Sequence, residues 1–522
     1  MIMGSINRRE FLRTAAIGTV AMAGAPWLKP GISLGAGKTL SVAIPDYQSM
    51  FDPLNQNSHD NMLLSQVIFE NLVEVDVDGN PVPMLAVSLP KISDDKLIYS
   101  FDLRDDVYFQ NGQKFTAEDV KYSYDYMLDP ANKAFRRAVW EPIKEVVVES
   151  PTRVSFKLKT PYRPMLQYMT KYMGIFPKGS REKYGDKFFH TGPVEMGTGP
   201  GIFVEARSND YVEFKRNPRY WRKGVPDWDR LIVRIIPEDA VRVAYLMTNQ
   251  VQIISAPPPA SFERLKNMPG FKGDARPALG SALFIATNNQ RAPFDDINFR
   301  KAVSFAIDRK KLSKQVFYSL VEASALPSPP SAWWFTQEAN DMLDFNKDKA
   351  KEYLQKSKYA SNAEFEMLMP AQPYLIDVRD AAVVVQSMLA DIGIKVNMRL
   401  VNSGELIGNF MLKGQHVGVL IAFMAPVDPT YLINNTLTPG SVVGKTSGYD
   451  NPALKAALDD SYRFIDKAEL KKVMDRINMI LAEDCPLVWL GSVDVTNLWR
   501  DEVKGFKVNS GLTMRVRDVT LG

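Results

Sequence analysis

Three histidines, one cysteine and a few loop aromatics bound the chemistry open to this chain. His59, His190 and His416 are its only histidines, and Cys485 is its only cysteine. No two histidines stand three or four residues apart. No His-Glu-x-x-His or Cys/His cluster occurs, so the spacings that hold a metal or activate water are missing. No metal and no cofactor are expected. His416, in Leu412-Lys413-Gly414-Gln415-His416-Val417, reads as a partly exposed loop residue. Gly31-Ile32-Ser33-Leu34-Gly35 has the spacing of a nucleophile elbow but lacks the strand before it and the helix after it. Gly440-Ser441-Val442-Val443-Gly444-Lys445-Thr446 has one residue too few between its glycines to wrap a phosphate, and it follows Pro439. It reads as a surface loop. Asp94-Asp95 and Asp105-Asp106 read as solvated edge carboxylates.

What remains is binding chemistry. Trp333-Trp334-Phe335 follows a Pro-rich loop at 327–330. Three adjacent aromatics in polar surroundings either stack on a sugar or apolar group, or fill a groove of the fold. In Ile421-Ala422-Phe423-Met424-Ala425-Pro426-Val427-Asp428-Pro429-Thr430-Tyr431-Leu432, Phe423, Met424 and Tyr431 offer an apolar or stacking wall. Alternatively, Phe423 and Met424 simply end a core strand. Arg136 and Arg137 either neutralise a ligand carboxylate or line a solvated helix face.

The elements that must carry these residues follow from periodicity. Leu97, Tyr99, Phe101 and Leu103 alternate with Ile98, Ser100, Asp102 and Arg104, which predicts a strand. Asn111-Gly112 suits a type I′ turn, giving a β-hairpin. Thr116 then caps a helix, with Asp119 three residues on in the capping-box position. Further strands are expected at 39–44, on both sides of Ser150-Pro151-Thr152, and at 211–216 and 230–236. Helices are expected at 296–307, 377–391 and 468–482. The strand Ile394, Val396, Met398, Leu400 should follow Gly393, and it alternates cleanly. Strand after helix after strand reads as α/β lobes. No internal repeat or low-complexity segment is present.

At 522 residues the chain is too long for one core, and two or three domains are expected. It is 45% hydrophobic and 24% charged, an ordinary globular balance. The net charge is +4, of which Arg8, Arg9, Arg13 and Lys29 against Glu10 supply +3, leaving about +1 for the rest. No basic field points to nucleic acid. Thr14 to Leu28 is apolar but too interrupted by Gly and Pro to span a bilayer. A lone cysteine excludes an intrachain disulfide, and without a lipobox cysteine no N-terminal acyl anchor is expected.

Several segments resemble a known family. Phe101 to Val120 closely resembles the "F-x-L-R-x-x-V-x-F-x-x-G-x-x-F-T-A-x-D-V" stretch of the peptide/nickel/opine-type (extracellular family 5) solute-binding proteins that serve ABC importers. Gly197-Thr198-Gly199-Pro200-Gly201 with Asn217-Pro218-Arg219-Tyr220-Trp221 resembles its "G-T-G-P … R-N-P-x-Y-W" pair. Pro293 to Arg309 and Ala390 to Val396 resemble two further family segments, in the same order. Asn7-Arg8-Arg9-Glu10-Phe11-Leu12-Arg13 resembles a twin-arginine export motif, with cleavage expected after Ala36.

The resemblance implies an α/β fold: a periplasmic binding protein type II-like two-lobed clamp with a third, inserted α/β domain. Residues 1–36 would be a Tat signal peptide. Lobe I would comprise 37–70, 190–285 and 488–522, lobe II 71–189, and lobe III 286–487. Ligand would lie between lobes I and III, closing about hinges at 284–289, which includes Asn288, and 485–490. Tyr47 and Met50, in the loop Asp46-Tyr47-Gln48-Ser49-Met50, join Asn288, Trp333, Trp334, Phe423, Met424, Ala425, Asp428 and Tyr431 as ligand-binding candidates. Peptide-binding members carry an acid for the peptide ammonium where this chain has Ala425. Asp428 matches a later acid that fixes the loop. The implied function is a non-enzymatic, monomeric periplasmic protein. It would capture a peptide-like, opine-like or oligosaccharide solute and pass it to the membrane subunits of an ABC importer. A Tat-exported periplasmic enzyme and a solute-sensing receptor subunit are the alternatives.

Overall fold

Strand β1 (Thr39–Ile44) is buried on both faces from Leu40 to Ile44, as a strand inside a covered sheet must be. The structure, a computed structural model, describes residues 37–45, 51–54, 59–134, 136–371, 376–424, 426–439, 441, 444–511 and 514–522. Outside them lie the expected export segment, the Gly31–Gly35 motif, Tyr47, Met50 and Ala425, together with Gly440, Val442 and Val443 of the Gly-rich loop.

Helix α1 (His59–Ile68) leads into a small four-stranded block. The block contains β2 (Lys91–Ile92), β3 (Ile98–Asp102), helix α2 (Ala117–Leu128), β4 (Ile143–Ser150), β5 (Arg153–Leu158) and helix α3 (Met165–Met169), with strand order β2-β3-β5-β4. The chain then forms β6 (Gly201–Arg207), β7 (Tyr211–Arg216), β8 (Arg230–Ile235), β9 (Ile253–Ser255) and β10 (Phe271–Pro277). The C-terminal half contains β11 (Ser281–Thr287), α4 (Ile297–Ala306), β12 (Val321–Ala323), β13 (Glu364–Pro370), α5 (Arg379–Ala390), β14 (Lys395–Val401), β15 (Gly418–Met424), α6 (Tyr431–Leu437), α7 (Lys467–Asp484) and β16 (Val488–Arg500).

The large sheet runs β14-β13-β15-β11-β16-β9-β1-β8-β7-β6, with β10 and β12 also paired to β16. Strand β16 belongs to both halves. Its start pairs with β11 at Val488–Ile285 and Trp489–Phe284, and its end with β9 and β10. Both spans expected as hinges therefore lie on adjoining, buried strands. β11 pairs with β15 along its whole length, Ser281–Met424 to Thr287–Gly418, so the expected 285/286 boundary falls inside a strand of the C-terminal half. One hydrophobic core joins the N-terminal half to the small block, a second serves the C-terminal half, and a smaller third lies on the N-terminal half around Ala43, Leu246 and Ile254.

The predicted hairpin at 97–113 is the main local difference. β3 pairs with β2 and with β5, some fifty residues away, and the segment after it makes only the isolated bridges Leu103–Ala86 and Tyr108–Lys114. At the turn only Gly112 has a positive φ, +90°, so the turn is not type I′. The Asn111 side chain instead accepts from the Gln113 N–H at 2.9 Å. The cap on α2 forms: buried Asp119 accepts from the Thr116 N–H at 2.8 Å and the Thr116 hydroxyl at 3.0 Å. Leu400 of the alternating strand is 52% exposed because β14 is the outermost strand.

The glycine-rich and Asn-Pro motifs converge on the C-terminus of α1. A Cβ on Gly197 would lie 1.7 Å from the Ile68 carbonyl oxygen, so only glycine lets the two chains approach. Asn217 donates to the Gly199 carbonyl at 2.9 Å, and Gln110, from the small block, to that of Gly201 at 2.7 Å. Buried Glu70 accepts from the Tyr220 hydroxyl at 2.6 Å, the Trp221 indole at 2.8 Å and Thr198 at 3.0 Å. Burial raises the Glu70 pKa against those donors. These motifs weld the N-terminal half to the small block and leave no acid free for a ligand.

Candidate ligand-binding site

The segment after β15 is where the C-terminal half meets the small block. Asp428 is fully buried, and its carboxylate accepts from Arg163 Nη1 at 2.6 Å. It also accepts from the N–H and hydroxyl of Thr430 at 2.9 and 2.7 Å, and from the Tyr431 N–H at 3.1 Å. The Val427 carbonyl accepts from Gln167 of α3 at 2.7 Å. Arg163 extends the junction through its own N–H to the Tyr462 carbonyl, 3.0 Å away. Burial works against the Arg163 charge, but Asp428 outweighs it and holds the guanidinium pKa above its ordinary value. Asp428, a ligand candidate by sequence, is thus fully committed to its own loop and to the small block.

Tyr431 opens α6, yet its side chain packs into the core of the other half. Its ring stands edge-on to Tyr168, centroids 5.4 Å apart, and its hydroxyl accepts from Arg136 Nη1 at 2.9 Å. The Arg136 guanidinium lies 4.4 Å over the Tyr172 ring. Arg136 is therefore not on a solvated helix face, whereas Arg137 is, paired with Glu141 at 3.0 Å. The sequence reading missed Arg163, Gln167, Tyr168, Lys171 and Tyr172.

The remaining candidates lie elsewhere. Trp334 is buried, its carbonyl accepts from Asn478 of α7 at 3.0 Å, and Trp333 stands edge-on to it at 5.3 Å. The Lys467 ammonium covers Trp333 at 5.7 Å. These rings fill the seam against α7, because two indoles bury more apolar surface there than an open loop allows. Phe423 packs edge-to-face on Phe284 at 5.4 Å and ends a core strand; Met424 closes that strand opposite Ser281. Buried Asn288 donates to the Gly414 carbonyl at 3.1 Å and accepts from the Gln290 N–H at 3.0 Å, which fixes a turn.

His416 corrects another expectation. It is buried, with Nδ1 3.0 Å from the Phe410 carbonyl, and burial lowers its pKa. Burial pushes the Cys485 thiol up. Among the described residues no group of three or more His, Cys, Asp or Glu is placed to hold a metal, and no helix is long and apolar enough to cross a membrane.

The sequence profile of the bacterial extracellular solute-binding proteins, family 5, matches residues 80–441. That span covers the small block, the strands of the large sheet from β6 to β15 and the Asp428 junction. The chain belongs to this family. Among relatives of this binding protein, a probable di/tripeptide-binding protein of Pseudomonas aeruginosa is 29% identical, over 91% of this chain and 94% of that one. The glutathione-binding protein GsiB of Escherichia coli K12 is 24% identical, over 90% and 94%. Among solved structures, the periplasmic binding protein DppA from Helicobacter pylori with peptide STSA superposes with a TM-score of 0.82 at 24% identity, covering 93% and 98%. AgaA from Agrobacterium with agropinic acid superposes at 0.80, covering 93% and 99%. The fold is the two-lobed type II periplasmic binding protein fold.

Proposed function

We propose that this family 5 protein captures a small organic solute, peptide-like, opine-like or an oligosaccharide, in the cleft between lobes I and III. It then presents the solute to the membrane subunits of an ABC importer. Lobe I is assigned to 37–70, 190–285 and 488–522, lobe II to 71–189 and lobe III to 286–487. The pairing of β11 favours moving the first I/III boundary back to its start at Ser281. The observation that carries the reading is the junction of Arg163, Gln167 and Arg136 with Asp428, Val427 and Tyr431. It joins the loop after β15 to lobe II with directional polar contacts, while β11 and β16 supply the connection about which lobe III turns. A latch of this kind suits a clamp that closes over cargo. Closure stores no chemistry and breaks no bond.

Solute class is read from the sequence of the same loop. At the position where the resemblance places the acid for a peptide ammonium, the chain has Ala425. That supports a modified or conjugated peptide-like solute over a peptide read by its free amine. Export through the twin-arginine route is proposed from Arg8-Arg9, and a host lacking that route should retain the protein in its cytoplasm. The binding reading is tested by thermal shift with dipeptides, glutathione, opines and oligosaccharides. A solute at a hundred times its Kd should add about 2.7 kcal/mol. No response to any class overturns the reading.

A further inference from the structure

Strand β16 changes partners within one residue. Gly491, Ser492 and Val493 pair with β12 of the C-terminal half, and Asp494 to Arg500 pair with β10 of the N-terminal half. Asp494 is therefore the first residue past the crossing. It stands opposite Pro277, while its N–H still donates to the Leu320 carbonyl at 2.9 Å. The strands come unusually close at this point. A Cβ on Gly491, whose φ is +154°, would stand 2.5 Å from the Glu322 carbonyl oxygen. Tyr318 and Ser319, at φ +52° and +67°, lead into β12 through the left-handed region that side chains disfavour.

Facing residues of paired strands share a face, and every second residue along a strand returns to it. Glu322 is opposite Ser492, so Glu322 and Asp494 are diagonal neighbours on one face, roughly 7–8 Å apart and within reach through their side chains. The two carboxyls have different surroundings. Ser331 donates its N–H and its hydroxyl to the two Glu322 oxygens, at 2.7 and 2.6 Å. Asp494 is partly buried, and among the described residues nothing donates to its carboxyl. On its face β16 presents Ser492 and Thr496, and β10 presents Ala275 and Pro277. Arg276 belongs to the other face and pairs with Asp274 at 3.2 Å. The turn at 317–320 carries no acid or base except the Tyr318 phenol, which is 48% exposed. Among the described residues Glu322 is thus the one charge that reaches Asp494. Burial first, and then that charge, push the Asp494 carboxyl up to about 7.

We propose that Asp494 and Glu322 form a proton-operated switch on the hinge between lobes I and III. With its proton, Asp494 donates to the Glu322 carboxylate and holds lobe III in the arrangement seen here. Without it, two carboxylates face each other and favour the turn of lobe III away. The inference rests on the clamp reading and adds a regulation to it: the clamp holds solute more tightly in acid surroundings. The sign follows from linkage. The arrangement seen here keeps the proton up to about pH 7, whereas hydration on opening returns the carboxyl toward its ordinary 3.8. Rising pH therefore drives opening below about pH 7 and has no further effect above it.

The test is double electron–electron resonance on the solute-free protein, with spin labels on Val241→Cys in lobe I and Val383→Cys in lobe III. Both positions are exposed, and the native Cys485 is buried away from the label. Distances are read from about pH 5 to about pH 8.5 in this background and with Asp494→Asn or Glu322→Gln added. Melting checks that each variant folds. The expected result is a short and a long distance whose ratio falls at least about threefold from pH 5 to 7.5 and is level above that. Threefold is what about half a pKa unit between the two forms produces. Asp494→Asn keeps a donor toward Glu322 without a charge, and it should hold the short distance at every pH. Glu322→Gln should lower the pH at which the ratio changes. A native pH response retained in Asp494→Asn overturns the switch, as does an unmoved response in Glu322→Gln should the first variant not fold. A ratio that rises with pH overturns it too. A ratio indifferent to pH, or one distance that changes only when Met-Leu, glutathione or maltotriose is added, overturns the switch and leaves the clamp standing. One distance that neither pH nor those solutes move overturns both.

Discussion

Replacing Arg163 by Met removes one guanidinium from the junction and leaves Asp428 buried. Cutting one partner from a buried ion pair typically costs about 3–5 kcal/mol. Two features reduce that figure here. The Asp428 carboxylate keeps three donors from its own loop, at 2.7, 2.9 and 3.1 Å. The Arg163 side chain also retains 12% exposure. About 2 kcal/mol is the expected remainder, of which the 2.6 Å charge-assisted bond is the main part. If the pair forms only when the lobes close, the cost falls on the closed state and not on folding. Solute affinity should then drop about thirtyfold, since each 1.4 kcal/mol is a factor of ten. Most of the loss should appear as faster release. Calorimetry with a bound solute and stopped-flow displacement read both quantities, and urea unfolding of the solute-free protein reads the alternative. Unchanged Kd and release rate with a lowered urea midpoint would refute the reasoning, because the pair would then be a fixed part of the fold. A double-mutant cycle with Asp428→Leu should give a coupling near the same 2 kcal/mol in affinity.

Four further outcomes are expected. Lys171→Met should stabilise the solute-free protein: a fall from 10.5 to about 7 is worth at most about 5 kcal/mol, and chemical denaturation reads it. Because the folded Lys171 loses its proton at lower pH than the unfolded one, native stability should rise from about pH 7 to 10.5 relative to the variant, with no differential slope below 7; parallel profiles would refute the burial argument. Asp119→Ala should cost about 2–3 kcal/mol, since it strands the Thr116 and Lys178 N–H groups, both 2.8 Å away, and a loss under about 0.5 in urea unfolding would contradict the capping account. Ala425→Asp should improve binding of free-amine dipeptides over their N-acetylated forms, and an unchanged ratio would show that the ammonium is not read at this position.

Local signals carried much of the architecture. The alternation at 98–102, the Thr116–Asp119 cap and the apolar stripes of α4, α5 and α7 fixed elements because each depends on neighbours within a few residues. Pairing was less legible. β3 finds its partner in β5, and nothing in residues 97–113 encodes that strand beyond a turn that happened to look suitable for a hairpin. The site was least legible of all. Arg163 and Asp428 are 265 residues apart, and neither has a local pattern that announces the other. Lys171 is an ordinary lysine in sequence; its burial comes only with the fold. Trp333 and Trp334 left two readings open for the opposite reason, since an aromatic run states that it must be covered but not by what.

The central claim is that the clamp holds one small solute. Native mass spectrometry of the protein purified without unfolding tests it most directly, followed by unfolding, refolding and a melting comparison. A one-to-one complex with a small organic solute is expected. Its removal should lower the melting temperature and its return should restore it. A bare polypeptide mass, with melting indifferent to every solute added, would contradict the account.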